Sequence, residues 1–347
     1  MTDLENIKSK TGNLIRLEYS IIKTKLERIL LNEGFSEAQS STLAKIFSNN
    51  SLYGKDSHGV NRFGFFINTV RSGNVKINVS PEKVRGDFAF EQWNGNYGPG
   101  PLNAKFCTDR AMELASKFGI GGTALKNTNH WMRGGTYGRQ AAEAGFILIG
   151  WTNATPTMPP WGGNKAKLGN NPLVIAVPNE NGHVVLDMAM SQYSYGKLEK
   201  LVQSNELTEY SAGYDDEGHL TNDPRTILNN KKALPIGLWK GSGLALVLDL
   251  LAAIMSEGRS SLEIGKYKIE SGVSQIFISI KPNPEYNSGL REIIIRNILE
   301  DLRTAGANGN ENILYPGELS SKIKEENLKI GVPVDSGVWK EILEMDN

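Results

Sequence analysis

The chain has 347 residues, of which 39% are hydrophobic and 22% are charged, a profile typical of a globular protein with one large domain or two ordinary ones. Lysines and arginines number 38, as do aspartates and glutamates, so the formal charge of zero does not indicate a nucleic-acid or anionic-membrane partner. The single cysteine, Cys107, excludes an intrachain disulfide and a cysteine-rich zinc site. The longest apolar run, Leu244 to Met255, is short for a membrane span, and residues 1–14 lack the apolar core of a signal peptide, which predicts a cytoplasmic protein.

The first 80 residues are predicted to be helical after a loose leader. Apolar side chains recur at helical spacing from Tyr19 to Asn32, which predicts the first helix. Ser36, with a glutamine three residues later, is suited to cap a second helix that reaches about Ser51. A third helix is predicted from Phe63 to Ser72.

From about residue 81 the sequence alternates between strand and helix patterns. Asn103 is predicted to cap a helix that ends at Lys117, and a further helix begins at Gly134 and ends near Gly145. A Pro-Pro loop separates two of the strands that follow. The predicted strands are Gly122–Leu125, Phe146–Ile149, Leu173–Val177, Val184–Leu186 and Gln275–Ile280, the last of which is taken as the final strand.

The last third of the chain contains one mostly polar segment and several helices. Residues 197–234 are predicted to be an excursion over the surface, because they are rich in polar residues around an acidic turn. Leu244 to Met255 is apolar nearly all round and is predicted to be a buried helix. Leu290 to Ala305 is predicted to be an amphipathic helix, and two short helices are expected to close the chain.

These elements predict a mixed α/β fold. Residues 81–287 are expected to form a central domain, and the helical segments 1–80 and 288–347 are expected to pack together, because chain termini are often close. Gly119 to Ala124 fits the letters of the dinucleotide-binding pattern G-x-G-x-x-A. However, it follows a predicted helix and precedes a strand, the reverse of the Rossmann order, so a Rossmann domain is not expected.

Two short motifs carry the residue types that acid–base chemistry on an anion needs. The stretch Asn129 to Gly135 reads Asn-His-Trp-Met-Arg-Gly-Gly, in which His130 is suited to move a proton and Arg133 to hold a carboxylate. His58 lies between a serine and a glycine just after a predicted helix, with Arg62 four residues later. A capping or turn role explains either histidine about equally well, and a lone arginine is more often a surface residue.

Other polar residues have open interpretations. Asp187 ends an apolar strand, where it either caps the next element or orients an imidazole. His183 follows an Asn-Gly hairpin signal and is interpreted as a turn residue, and His219 follows an acidic turn and is predicted to be solvated. The glycines that follow Lys240 either cap the next helix or bind a phosphate.

At the two histidine motifs the sequence resembles the malate/L-lactate dehydrogenase family of the non-Rossmann type. The resemblance extends from about Arg16 to Leu343. It implies an NAD(P)H-dependent reductase of 2-oxo acids, a cofactor site unrelated to the Rossmann domain, and a homodimer. The stretches that support it outside the two motifs are 158–162, 213–218, 234–243, 273–275 and 316–317.

The resemblance also implies roles for individual residues, and it implies no metal. His58 matches the family's proton donor, and we infer that Asp187 keeps its imidazole charged and oriented. The residues implied to face the substrate are Ser57, Arg62, His130, Arg133 and Asn171. The residues implied to bind the cofactor are His183, Val184, Val185, Leu186, Asp187, Met188, Ala189, Trp239, Lys240, Gly317, Glu318 and Leu319.

The implied reaction is hydride transfer to the 2-oxo carbon, with NADH slightly favoured over NADPH. Arg133 favours a polar sugar acid as the substrate. Malate, lactate, ureidoglycolate, sulfolactate and a cyclic imino acid stay open as substrates within the same family. Two other classes also stay open: a metal hydrolase with His58, His130 and Asp187 as ligands, and a sugar-acid binding protein that has lost catalysis.

Three positions depart from the pattern of the sugar-acid reductases in the family. Asp56 stands where that pattern has tyrosine before Ser-His-Gly, and Asn170 stands where it has threonine. Both lie near the implied substrate site, so these changes leave open a substrate that differs from that of the sugar-acid reductases. Glu318 stands where the pattern has histidine in an implied cofactor segment, which leaves the choice between NADH and NADPH open.

Overall fold

The computed structural model describes residues 14–282, 288–306 and 313–346, so the predicted leader lies outside the described residues except for Leu14. The fold is mixed α/β, as the sequence predicts. The helices are α1 (Tyr19–Asn32), α2 (Glu37–Leu52), α3 (Val60–Arg71), α4 (Gly100–Phe118), α5 (Gly134–Glu143), α6 (Tyr195–Gln203), α7 (Pro224–Asn230), α8 (Trp239–Ser256), α9 (Ser261–Ile264), α10 (Ser288–Thr304), α11 (Glu318–Ile330) and α12 (Ser336–Glu344), with a 3-10 turn at Asp56–His58. The strands are β1 (Leu14–Leu17), β2 (Glu82–Arg85), β3 (Phe90–Asn94), β4 (Ile120–Thr128), β5 (Ile147–Thr152), β6 (Pro156–Met158), β7 (Leu168–Gly169), β8 (Leu173–Val177), β9 (Val184–Met188), β10 (Gly213–Tyr214), β11 (Leu220–Thr221), β12 (Val273–Ile280) and β13 (Val332–Asp335).

A seven-stranded sheet is the centre of the molecule, with strand order β2-β3-β4-β12-β5-β8-β9. The β3–β4 pair is parallel and the other neighbours are antiparallel. The predicted hairpin at Asn181-Gly182 is confirmed, because it connects the antiparallel pair β8 and β9. Gly119 ends α4 and is followed directly by β4, which confirms that the glycine-rich stretch there has the wrong context for a Rossmann domain.

Apolar side chains cover both faces of this sheet. On one face, α4 and α5 pack against it through residues such as Cys107 and Tyr137. On the other face, α8 packs through Ala245, Leu248 and Ala252, and α6 and α7 contribute to the same cluster. Helices on both faces leave edge strand β9 and its following loop open toward the candidate site described below.

A third apolar cluster joins the two ends of the described chain. It contains Ile22 and Leu26 from α1, Phe47 from α2, and Trp339 and Ile342 from α12. Strands β1 and β13 also pair with each other in an antiparallel two-stranded sheet. The boundaries proposed for the central domain stay a prediction, but this cluster is built almost entirely from residues on either side of it.

Two local predictions are wrong. Asn103 does not cap a helix, because α4 begins earlier, at Gly100, with a proline in its first turn. The Asn103 side chain is buried inside α4 and donates to Gly95 O at 2.9 Å and Thr128 Oγ1 at 2.9 Å. Strand β12 is not the last strand, because β13 follows it.

The polar segment 197–234 is only partly a surface excursion. Leu198 and Leu201 of α6 and Ile227 of α7 are buried, and Leu198 and Ile227 belong to the apolar cluster that α8 forms with the sheet. These apolar side chains lie in short helices, and the high average polarity of residues 197–234 obscured them in the sequence. Helix α6 also forms one wall of the candidate site, which the surface prediction did not anticipate.

Helix α8 has one buried and one exposed apolar face, so the prediction of an entirely buried helix is wrong for the isolated chain. Ala245 and Leu248 pack on the sheet, whereas the opposite face is open. At 18 residues with a mean hydropathy of 1.4, α8 is also long and apolar enough to cross a membrane by length and composition alone, although the same test is passed by core helices of soluble proteins. The exposed apolar residues are Leu244, Leu246, Val247, Leu250, Leu251 and Ile254.

Candidate active site

A cavity of about 430 Å³ lies where the 3-10 turn, α3, the loop before α5, the end of β9 and the start of α6 meet. The two sequence motifs, whose histidines are His58 and His130, both open into it. Most of the residues predicted to contact the substrate therefore share one space. The predicted residues that line it are Ser57, His58, Arg62, His130, Arg133, Asp187 and Ala189.

His58 is fixed by hydrogen bonds at its backbone and its ring. The amide of Asn50, from α2, donates to His58 O at 2.9 Å. Ser57 Oγ lies 3.0 Å from His58 Nδ1. This bond engages Nδ1 and leaves Nε2 as the ring nitrogen available to a ligand.

The His130 ring is held beside the His58 ring. The two ring centroids are 5.8 Å apart and the planes differ by 18°. The backbone N–H of Met132 donates to His130 Nδ1 at 3.0 Å. In the neutral ring the proton therefore sits on Nε2, which makes His130 a hydrogen-bond donor at that atom.

Both histidines are held in the neutral form. Desolvation, and then the neighbouring His130, lower the pKa of His58 to about 3, although Asp187 acts in the opposite direction. Desolvation, and then Arg62, lower the pKa of His130 to about 4. Asp187 therefore acts on the pKa of His58 in the inferred direction, but desolvation and His130 outweigh it, and its role toward the His58 imidazole stays a prediction.

Asp187 interacts with the second motif rather than with His58. Its Oδ2 accepts a hydrogen bond from Gly135 N at 2.9 Å, at the start of α5, and lies 3.5 Å from Arg133 Nε. A Cβ on Gly135 would lie 2.8 Å from that same carboxylate oxygen, so the glycine permits this approach. Asp187 therefore orients Arg133 and the N-terminus of α5.

The two arginines of the site differ in how far they are already paired. Arg133 is buried, with 7% of its side chain exposed, and its nearest carboxylate is that of Asp187. The Arg62 guanidinium lies over the Phe65 ring, 4.1 Å from its centroid. Within the described residues Arg62 has no ion-pair partner, so its donors are available to a carboxylate ligand.

Asn171 does not face the cavity, which corrects the expectation for this residue. It is completely buried. Its Oδ1 accepts from Ala154 N at 3.0 Å and its Nδ2 donates to Ala245 O at 2.8 Å. Its neighbour Asn170 lines the cavity instead, so the expectation was displaced by one residue.

The segments implied to bind the cofactor converge on β9. Val185 N donates to Pro316 O at 2.8 Å, which brings the turn before Gly317 against the start of this strand. Just beyond its end, Ile236 N donates to Met190 O at 2.8 Å, which brings in the segment that leads to Trp239 and Lys240. A cofactor that follows β9 would therefore meet all three segments, and the residues present fit a nicotinamide dinucleotide in this respect.

The individual residues of these segments have different surroundings. Trp239 is 65% exposed, and Lys240 is also exposed. Glu318 is buried and pairs with Lys322 at 2.8 Å and Arg303 at 3.4 Å. An exposed tryptophan beside a lysine is free to contact a ligand, whereas the Glu318 carboxylate is already neutralised.

The two remaining histidines lie outside the cavity. His183 Nδ1 accepts from Asn179 N at 3.2 Å inside the β8–β9 hairpin, as a turn residue does. The side chain of His219 is 79% exposed, as predicted, and lies 3.6 Å from Asp215. In the described part of the chain, the group of three residues close enough to share a metal ion is Asp215, Glu217 and His219, and His58, His130 and Asp187 do not form such a group.

The sequence reasoning missed three parts of the site. Lys55 lines the cavity beside the histidine motif, and only its position next to Asp56 could have indicated this. Glu270 also lines it and accepts from Thr155 N at 2.9 Å; desolvation raises its pKa. Helix α6 supplies a wall at Gly196, where a Cβ would lie 2.6 Å from Ser57 Cβ.

Comparisons with known proteins agree with this geometry. A family model described as malate/L-lactate dehydrogenase matches residues 17–343. The 2,3-diketo-L-gulonate reductase of Pasteurella multocida is 43% identical over 330 residues, which cover 94% of this chain and 99% of that protein, and the one of Citrobacter koseri is 40% identical with the same coverage. The crystal structure of malate dehydrogenase from Entamoeba histolytica matches with a TM-score of 0.91 at 24% identity, over 96% of this chain and 97% of that one.

These findings define an oxidoreductase that acts on a small molecule. The chain belongs to the malate/L-lactate dehydrogenase family. Membership implies a nicotinamide cofactor, for which the surroundings of β9 are the fitting part of the structure.

Proposed function

We propose that this enzyme reduces a 2-oxo sugar acid with NADH or NADPH, most specifically 2,3-diketo-L-gulonate to 3-dehydro-L-gulonate. The observation that carries the proposal is the cavity itself, in which His58 and the unpaired Arg62 lie together beside the end of β9. An acid–base group and a carboxylate-binding group in one space are what 2-oxo acid reduction requires. The named relatives support the sugar acid as the substrate.

In this proposal Arg62 binds the substrate carboxylate. Its planar guanidinium offers two parallel donors, and the Phe65 ring restricts its orientation. His130, which is neutral and donates from Nε2, is suited to bind the 2-oxo oxygen or a neighbouring oxygen. Arg133 adds positive charge behind the two histidines, held there by Asp187.

His58 is the proposed proton donor, acting through Nε2. When bound, the reduced nicotinamide supplies the hydride that the 2-oxo carbon accepts. The substrate oxygen then takes a proton from His58, whose ring is oriented by Ser57. Because the pKa of His58 is lowered to about 3 in the ligand-free protein, the ring must gain its proton as the anionic substrate enters and raises that pKa. In the opposite direction the neutral His58 is ready to accept the hydroxyl proton.

The cofactor would be held beside β9, at whose end Asp187 and Ala189 line the cavity. The residues proposed to hold it are His183 to Ala189, Gly317 to Leu319, and the exposed pair Trp239 and Lys240. The slight preference for NADH stays a prediction, because Glu318 is neutralised by Lys322 and Arg303 and neither attracts nor repels a phosphate strongly.

We also propose that the enzyme is a homodimer in the cytoplasm. The exposed apolar face of α8, from Leu244 to Ile254, supports a permanent interface, because monomeric proteins rarely expose a contiguous apolar surface of this kind. A second copy of α8 would bury it in a symmetric contact. The one cysteine is buried and unpaired among the described residues, which fits a reducing compartment.

The test is oxidation of the reduced cofactor, followed by loss of its near-ultraviolet absorption. NADH and NADPH are each offered with 2,3-diketo-L-gulonate, pyruvate, oxaloacetate and a cyclic imino acid. We expect the highest kcat/KM with 2,3-diketo-L-gulonate. A higher value with another oxo acid would retire the sugar acid and keep the reductase, and no oxidation with any of them would overturn the proposal.

A second candidate is another oxidoreductase of the same family, acting on malate, lactate, ureidoglycolate, sulfolactate or a cyclic imino acid. The observation that favours it is Asp56, which precedes the cavity residue Ser57 and forms an ion pair with Lys200 instead of supplying a tyrosine. The same substrate panel separates this candidate from the first.

A further inference from the structure

Lys55 is a cation of the cavity that neither sequence motif contains. Its backbone N–H donates to Asn50 O at 2.8 Å, so the C-terminus of α2 fixes the point from which its side chain leaves. Its side chain lines the same cavity as His58. The position is therefore structurally defined and open to a ligand.

The two carboxylates whose charges act on Lys55 each have another cationic partner. Asp187 accepts from Gly135 N and lies beside Arg133. Asp56 lies 3.4 Å from Lys200, on α6. Within the described residues, the Lys55 amine has no hydrogen-bond or ion-pair partner, which leaves three donors free.

Lys55 and Arg62 belong to different elements of the cavity wall, since Lys55 precedes the 3-10 turn and Arg62 lies on α3. Arg62 is on α3, over Phe65, and its charge acts on the pKa of both His58 and His130. Desolvation, and then Arg133, lower the pKa of Lys55, and Lys200, which is on α6, acts in the same direction; Arg62 is not among the charges that act on it. A chain-like substrate held at Arg62, with its reacting carbon at His58, would extend from the histidines toward Lys55.

Arg133 is less suited than Lys55 to bind the end of such a substrate that lies opposite its carboxylate. The Arg133 guanidinium is buried, lies 3.5 Å from Asp187 and faces the Tyr53 ring at 5.8 Å. The carboxylate of Asp187 and the Tyr53 ring fix the position of this guanidinium, although its buried Nε has no hydrogen-bond partner among the described residues. We therefore expect Lys55 rather than Arg133 to select a polar sugar acid, because the Lys55 amine has no partner among the described residues.

We propose that Lys55 determines specificity by donating hydrogen bonds to the oxygen-rich end of the substrate, opposite the carboxylate. This inference rests on the proposed function for the position of the reacting carbon. Keto and hydroxyl oxygens of a sugar acid are acceptors that an ammonium binds well, whereas a short acid such as pyruvate has no group that reaches it. The preference for a long polar substrate then depends on Lys55.

The test is the variant Lys55→Met, which keeps the length of the side chain and removes its charge. We expect KM for 2,3-diketo-L-gulonate to rise about tenfold or more, as loss of a charge-assisted hydrogen bond predicts. KM for pyruvate and the dissociation constant of the cofactor should stay within about twofold. The matched control is Lys197→Met, an exposed lysine on α6, which should change neither.

A binding measurement separates this inference from the proposed reaction. Thermal stabilisation of the wild-type enzyme and Lys55→Met is measured with L-gulonate and with lactate, each in the presence of the oxidised cofactor. We expect the variant to lose stabilisation by L-gulonate and keep that by lactate, even if 2,3-diketo-L-gulonate proves not to be reduced. Equal losses for both acids, unchanged stabilisation by both, or weaker binding of the cofactor alone would overturn the role of Lys55.

Discussion

The cavity is polar and the outer face of α8 is apolar. Each is energetically unfavourable in an isolated chain. The cavity places the charged or ionisable groups of His58, Arg62 and Arg133 where water is partly excluded, which costs free energy. The face of α8 exposes apolar side chains such as Leu250 and Ile254 to water. We propose that each region is completed by something that the chain alone does not supply: a small anionic ligand for the first and a second copy for the second.

The two regions also differ in how closely the sequence specifies them. In the cavity, each ring is held by a specific hydrogen bond: one joins Ser57 Oγ and His58 Nδ1, and Met132 N donates the other to His130 Nδ1. The face of α8 has no such bonds and relies on apolar area, which is non-directional. Changes in the cavity should therefore affect chemistry without affecting assembly, and changes on α8 should do the reverse.

The largest effect is expected from His58→Ala. Loss of the proton donor should reduce kcat by about 10²–10⁴-fold, while cofactor binding and the dimer are kept. Steady-state kinetics, cofactor titration and sedimentation measure the three quantities. His219→Ala, at an exposed histidine, is the matched control and should be neutral; near-normal turnover in His58→Ala would remove His58 from its role.

The next largest effect is expected from Leu250→Glu on α8. A buried leucine contributes about 1.5–3 kcal/mol, and a symmetric interface contains it twice, so the dissociation constant of the dimer should rise at least about 10²-fold. Sedimentation velocity across a dilution series measures this change. Leu262→Glu, at an exposed leucine on the short helix α9, should leave the dimer intact, and an unchanged dimer in Leu250→Glu would show that α8 is not the interface.

Arg62→Ala should weaken substrate binding more than it slows chemistry. Loss of a charged bidentate contact predicts a rise of about 10–100-fold in KM for every 2-oxo acid tested. Arg225→Ala, at a partly exposed arginine on α7, controls for loss of charge. If KM is unchanged while kcat falls, the carboxylate is bound elsewhere and Arg62 acts on the reacting atoms.

The smallest expected effect is the change in kcat/KM for each unit of pH. Since the pKa of His58 in the free enzyme is lowered to about 3, its protonated fraction falls as pH rises through the neutral range. The kcat/KM for reduction should therefore fall about tenfold per pH unit between about pH 6 and 8, whereas that for oxidation should stay flat. A reduction profile that is flat over this range would mean that His58 is not the donor or that its pKa is not depressed.

Much of the fold follows from local patterns. Helix α1 and strand β8 have the bounds that the apolar periodicity predicts, because each is an amphipathic or buried segment with clear ends. Asn103 misled the prediction, because asparagine is common at helix N-caps. Here its side chain instead donates a hydrogen bond to Thr128, at the end of β4. The outer face of α8 misled it in another way, because apolar composition alone does not show whether a helix face is buried by the rest of the chain.

The residues of the candidate site also fall into two groups: those that local motifs predict and those that only the fold brings together. The histidines and arginines could be predicted because each motif concentrates them within a few residues. Glu270 could not, because its contact to Thr155 joins residues 115 apart and only folding brings them to the cavity. Lys55 needed the structure as well, since its importance depends on Asp56 pairing with Lys200 on α6.

The central claim is hydride transfer to the 2-oxo carbon of a sugar acid with a proton from His58. The most direct measurement uses reduced cofactor deuterated at the transferring position, with 2,3-diketo-L-gulonate as substrate and mass spectrometry of the product. We predict one deuterium at C2 of the product with the wild-type enzyme, and the same label formed far more slowly with His58→Ala. Deuterium at another carbon, or cofactor oxidation without label in the product, would contradict the account.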